Sequence, residues 1–178
     1  MPVVFFILTW NCCFAQTQQA PEKMADIYYK ASDYSKALPL YFLLLKEANL
    51  DESERARISF FIGQCQTAQH QYNDALKSFD DVATRYGNTE WAPNALLRKG
   101  AVELGVLNKP KEGLVTWQVL AKRYSKAEAT AEALFYRCTY FLLNKQRTQA
   151  KEALHVLELD FPNNPLTLKA QNYFNAKL

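Results

Sequence analysis

Small residues recur along this chain at a nearly constant interval. Ala37, Ala75, Gly113 and Ala150 stand 38, 38 and 37 residues apart. Four positions after each comes a bulky apolar side chain: Tyr41, Phe79, Trp117 and Leu154. Eleven after the last three comes another aromatic: Tyr86, Tyr124 and Phe161. A period of this length marks an array of supersecondary units, each unable to bury its apolar face alone. The chain is therefore read as a stack, and its function must be one that a stack can perform.

Each repeat resolves into two helices. In the second, residues 57–69 carry Phe61, Ile62 and Cys65 at helical spacing, and His70-Gln71 makes a turn. Residues 72–86 follow, with Ala75, Phe79 and Val82 on one stripe. The small residues mark where paired helices come closest. Gly63 and Ala101, with Ala25 and Cys138 in register, serve the same purpose on the first helices. Asp33-Tyr34, Gln71-Tyr72 and Pro110 start second helices, the proline being tolerated at a helix start. Gly87 is expected to cap one helix and Thr89 to begin the next. Pro39 falls early in its helix and predicts a bend rather than a break. Residues 161–165 close the fourth repeat with two prolines, and 166–178 reads as a final helix covering the last open face. Five glycines and seven prolines in 178 residues suit a mostly helical chain.

These positions resemble the tetratricopeptide repeat. Tyr28, Tyr34, Ala37 and Tyr41 fit its pattern in the first repeat, and Gly63, Tyr72, Ala75 and Phe79 in the second. The third and fourth diverge: Pro110 and Arg147 replace an aromatic, while Gly113 and Leu154 are conservative drifts. The resemblance covers Ala25 to Leu178. It implies an all-α fold, a right-handed superhelical stack of four tetratricopeptide-like helix pairs with a C-terminal capping helix. The run at residues 86–100, YGNTEWAPNALLRKG, is similar to repeats of bacterial cell-envelope members, the Tol-Pal-associated YbgF/CpoB proteins and the outer-membrane assembly lipoprotein BamD. The sequence shows neither the coiled coil of the first group nor the lipobox of the second.

Residues 1–15 read as a signal peptide, with an apolar run from Val3 to Trp10 and a small-residue exit at Ala15. The run is too short to span a bilayer, which takes about 20 residues. Neither Cys12 nor Cys13 has the residues before it that lipidation requires. The expected division is therefore signal peptide 1–15, linker 16–23 and repeat domain 24–178, in a periplasmic or secreted protein without a lipid anchor or transmembrane span. Removal of the signal leaves Cys65 and Cys138. Stacked helices lie 8–10 Å apart, so two repeats separate these thiols by roughly 20 Å. A disulfide needs Cα atoms within about 7 Å, so both are read as small buried apolar residues.

Nothing in the sequence assembles a catalytic constellation. His70 and His155 lie in different repeats, one in a turn and one inside a helix. There is no phosphate loop, nucleophile elbow or His-Glu-x-x-His pair. Asp80 and Asp81 are adjacent, so they point to different parts of a helix surface. No cofactor, metal or catalytic residue is expected. A net charge of +3, from 21 basic and 18 acidic residues, is too small and too dispersed for nucleic-acid binding.

Binding of a protein partner is what the architecture offers, since first helices line the concave face of such a stack. The family's geometry implies groove positions Asp26, Tyr29, Lys30, Phe60, Gln64, Thr67, Arg98, Val102, Phe135 and Thr139. Phe60 and Phe135 could equally pack against adjacent helices. The family's clamp for a C-terminal carboxylate needs Lys and Asn where this chain has Glu22/Asp26, Phe60/Gln64 and Arg98/Val102, so an acidic C-terminal peptide is not expected. The expected function is a non-enzymatic scaffold binding envelope proteins. A cytoplasmic adaptor and a cell-wall-acting enzyme stand as alternatives.

Overall fold

The computed structural model describes residues 21–176. The expected signal peptide lies outside them, while residues 21–23, assigned above to the linker, are already helical. Among the described residues all regular structure is helical, without a strand. The elements are α1 (21–30), α2 (Tyr34–Leu44), α3 (Glu52–Ala68), α4 (Tyr72–Arg85), α5 (Trp91–Ala101), α6 (Pro110–Arg123), α7 (Glu128–Leu143), α8 (Arg147–Asp160) and α9 (Pro165–Ala176). A π-helical turn, Val102–Val106, continues α5. The second helices begin where the sequence predicted, and α2 continues through Pro39. The chain falls into two compact units, one ending at Ser78 and the other beginning at Phe79, so the division lies within α4.

The repeat period reappears in the backbone. Among the described residues, four non-glycine residues have positive φ: Ser32 (59°), His70 (61°), Asn108 (51°) and Lys145 (59°), at the same spacings of 38, 38 and 37. Each sits just past a first helix, where a left-handed residue lets the chain turn back. The residue after it donates its N–H to a carbonyl in the preceding turn, at 2.8 Å in all four cases: Asp33 to Tyr28, Gln71 to Gln66, Lys109 to Glu103 and Gln146 to Phe141. Three of these bonds span five residues and the third spans six. The π turn is where the additional residue is accommodated.

That insertion shifts the third repeat's first helix by one position relative to the others. Leu97 is buried like Phe135, Arg98 exposed like Tyr136, Gly100 buried like Cys138, and Ala101 half-buried like Thr139. Gly100, rather than the expected Ala101, is therefore the close-approach residue. A Cβ at Gly100 would lie 2.4 Å from Trp117 Nε1, and one at Gly113 would lie 2.8 Å from the Gly100 carbonyl oxygen. The indole fits because there is no side chain at Gly100, and its N–H donates to the Leu97 carbonyl at 3.0 Å.

In the unit ending at Ser78, α2 packs on α3, and Ala25, Ala37, Tyr41, Leu44, Ile58, Ile62 and Cys65 form the core. The Tyr41 ring stacks on Phe61, with centroids 5.6 Å apart. A reciprocal capping box starts α3: Asp51 accepts from Glu54 N at 2.8 Å, and Glu54 accepts from Asp51 N at 3.0 Å. In the unit beginning at Phe79, α5 packs on α6, α6 on α7, α7 on α8 and α8 on α9. First helices also meet one another, α5 against α7 and α7 against α9.

A second recurring device joins these pairs. The carbonyls of Tyr124 and Phe161 accept the hydroxyls of Thr130 and Thr167 at 2.6 and 2.7 Å. Ala92 stands at the same distance beyond Tyr86 and lacks that hydroxyl. Thr89 does not cap α5: its hydroxyl donates to Tyr86 O at 2.8 Å. Gly87, expected to cap a helix, does not take the left-handed form such a cap often has, since none of the described glycines has positive φ. Its carbonyl accepts the Tyr124 hydroxyl at 2.6 Å, and a Cβ there would lie 2.8 Å from Arg123 Nη2.

Candidate partner-binding surface

Most of the residues expected to line a groove have internal partners. In the first unit, Asp26 takes the Tyr41 hydroxyl at 2.7 Å and the Arg57 guanidinium at 3.3 Å, while Arg57 also reaches Glu22. Burial and that hydrogen bond push the Tyr41 phenol far above its ordinary pKa. Tyr29 meets Phe61 edge-on at 4.8 Å. Thr67 donates to the Gly63 carbonyl one turn back at 2.8 Å. Phe60 is buried, Gln64 half-buried and Lys30 exposed.

In the second unit, Arg98 is exposed and Val102 buried, the consequence of the one-residue shift described above. Phe135 belongs to the α7–α8–α9 core and is 7% exposed. The Thr139 hydroxyl donates to the Phe135 carbonyl at 2.9 Å. The ten positions thus divide between packing and surface.

A more coherent surface lies on α7 and α9. Phe135 is turned inward, and its neighbour Tyr136 is turned outward at 41% exposure, with its ring stacked 5.8 Å from Trp117. Along the same helix Leu143 is 65% exposed. From α9, Tyr173 comes within 6.0 Å of Phe135 while remaining 43% exposed. Lys169 Nζ lies 5.2 Å from the Phe135 ring centroid and 5.8 Å from that of Tyr173, where an ammonium is attracted by the ring faces. Between the helices is an open cavity of about 200 Å³ lined by Thr139, Leu142, Leu143, Tyr173 and Ala176. Leu142 and Leu143 also border a second depression, which carries Lys145 and Arg147.

These side chains offer contact and charge. Burial pushes the Cys65 thiol up to about 12 and the Cys138 thiol up to about 11, so neither is a thiolate at neutral pH. Among the described residues no three His, Cys, Asp or Glu side chains gather to hold a metal. No described helix is long and apolar enough to cross a membrane. His70 Nδ1 lies 2.5 Å from the Tyr72 hydroxyl, in the turn that its positive φ forms. His155, exposed on α8, borders a third depression shared with Glu158, Gln171 and Phe174.

Sequence reasoning missed Tyr136, Leu143, Lys169 and Tyr173. Tyr136 was available as the other half of an aromatic pair. Tyr173 and Lys169 fell on the helix read only as a cap. No protein-family model matches this chain, and no curated protein matches it.

Proposed function

We propose that this protein is a non-enzymatic scaffold of the tetratricopeptide type that captures a protein partner on the α7–α9 surface. The observation carrying this reading is the pair Leu143 and Tyr173, two large side chains left open beside the slot between α7 and α9, with Tyr136 exposed one to two turns earlier on α7. Aromatic groups on a rigid helical platform supply much contact area for little conformational entropy, the property of binding hot spots. We place this activity in the bacterial cell envelope, in support of outer-membrane or cell-wall assembly. That placement rests on the apolar run and small-residue exit of residues 1–15 and on the family resemblance of residues 86–100.

The test is photo-crosslinking in the native cell, with a benzophenone amino acid at Tyr136 or Tyr173 and, for comparison, at Val115 or Leu159. Val115 and Leu159 are exposed on α6 and α8, at 58% and 67%. A discrete adduct from the first pair and none from the second is expected. Equal crosslinking from all four positions, or none, refutes the assignment. N-terminal sequencing of the mature protein tests the location: a chain beginning at Met1 rules out signal cleavage near Ala15.

A further inference from the structure

Two properties of the α7–α9 surface specify the chemistry of what binds there. The first is the shape of the slot. At about 200 Å³ it is smaller than the roughly 300–1,000 Å³ sites that enclose drug-sized ligands, and it is open to solvent. Leu142, Leu143, Ala176 and the Tyr173 ring give it apolar walls, and the Thr139 hydroxyl is already committed to the Phe135 carbonyl. Such a slot suits one large apolar side chain entering from outside.

The second is charge. Residues 133–151 and 161–178 contain no Asp or Glu, yet they include Arg137, Lys145, Arg147, Lys151, Lys169 and Lys177. Lys145 and Lys169 are exposed, and neither forms an ion pair among the described residues. Arg147 lies over the Phe174 ring at 4.1 Å. The neighbouring acids of α8 are engaged in part: Asp160 pairs with Lys126 at 2.6 Å, Glu158 accepts from Gln171 at 2.9 Å, and Glu152 lies within electrostatic reach of Arg137. Lys169 thus stands beside the slot's Tyr173 wall, and Lys145 borders the adjoining depression that shares Leu142 and Leu143 with it.

We infer that this slot receives a bulky apolar side chain of a protein segment whose flanking residues are acidic, with Lys145 and Lys169 meeting the carboxylates. The inference rests on the scaffold reading above and adds the partner's chemistry to it. The apolar anchor supplies residence time, and the charges set orientation and speed of encounter. An anionic membrane would satisfy the lysines, but it would leave a slot of single-side-chain size without a role.

The experiment measures fluorescence anisotropy of short labelled peptides with the full chain. One peptide has a central Phe flanked by Glu, a second has the same Phe flanked by Lys, and a third replaces the Phe by Ser between Glu residues. Only the first should bind. The double variant Lys145→Glu/Lys169→Glu should weaken it about tenfold, as two exposed pairs become repulsions. Leu143→Asp should abolish it, and both variants should retain the parent's circular dichroism. Equal affinity for the Glu- and Lys-flanked peptides, or unchanged binding by Leu143→Asp, overturns the inference. Binding to phosphatidylglycerol vesicles without binding to any peptide overturns it too, in favour of a membrane surface. A partner that still crosslinks at Tyr136 in the lysine variant would leave the scaffold standing and remove only its acidic specificity.

Discussion

Replacing Gly100 by alanine adds one methyl group where the structure has no room for it. The new Cβ would lie 2.4 Å from Trp117 Nε1 and 2.5 Å from Cδ1, against ordinary contacts of 3.4–4 Å, so the indole must retreat by about an ångström. Trp117 is 3% exposed and its N–H bonds to the Leu97 carbonyl at 3.0 Å, so that retreat also strands a buried donor. Overpacking costs about 1–3 kcal/mol and an orphaned buried donor about 1–3 kcal/mol. The better helix propensity of alanine returns about 1 kcal/mol. The net expectation is a loss of about 3 kcal/mol. Gly105→Ala supplies the control: the same chemical change five residues on meets nothing within 4 Å. It should be neutral or stabilising by up to about 1 kcal/mol. Urea denaturation followed by far-ultraviolet circular dichroism compares the two, and a thermal scan should separate them by about 6–12 °C. If Gly100→Ala proves as stable as Gly105→Ala, the one-residue shift of α5 is wrong.

Thr167→Val keeps the shape of a side chain that is 3% exposed and deletes its 2.7 Å bond to Phe161 O, so thermal unfolding should show a loss of about 1 kcal/mol; no loss would deny that bond a role in joining α8 to α9. Burial raises the Cys65 and Cys138 thiols from 9.0 to about 12 and about 11. The folded state therefore holds those protons more tightly than the unfolded one, and the associated stability is intact below pH 9 and declines as pH rises toward 11–12. Mass-spectrometric thiol labelling at pH 8 should find both cysteines protected until denaturant is added. Rapid native labelling would contradict their burial.

Much of the fold was legible because a repeat writes its packing into spacing. Ala37 and Ala150 are fully buried at the small positions of the pattern, and Tyr41 and Phe79 are fully buried at its bulky ones. The shift in α5 was hidden for a specific reason. Gly100 and Ala101 are both small, so either satisfies the pattern, and Ala75 and Gly113 lie outside the helix that is displaced. The same ambiguity concealed the surface. Phe135 and Tyr136 are adjacent aromatics, and spacing alone does not say which ring turns inward. The hydroxyl-to-carbonyl bonds of Thr130 and Thr167 were hidden for another reason, since a threonine six residues after an aromatic is unremarkable in sequence. Asp26 could not be read either, because its partner Arg57 lies 31 positions away.

Hydrogen–deuterium exchange of the chain, alone and bound to the partner recovered by crosslinking at Tyr136, tests the binding surface most directly. Exchange should slow in residues 136–143 of α7 and 169–176 of α9, with α6 and α8 little changed. Protection confined to the exposed faces of α6 and α8 around Val115 and Leu159, with α7 and α9 exchanging as in the free chain, would contradict it.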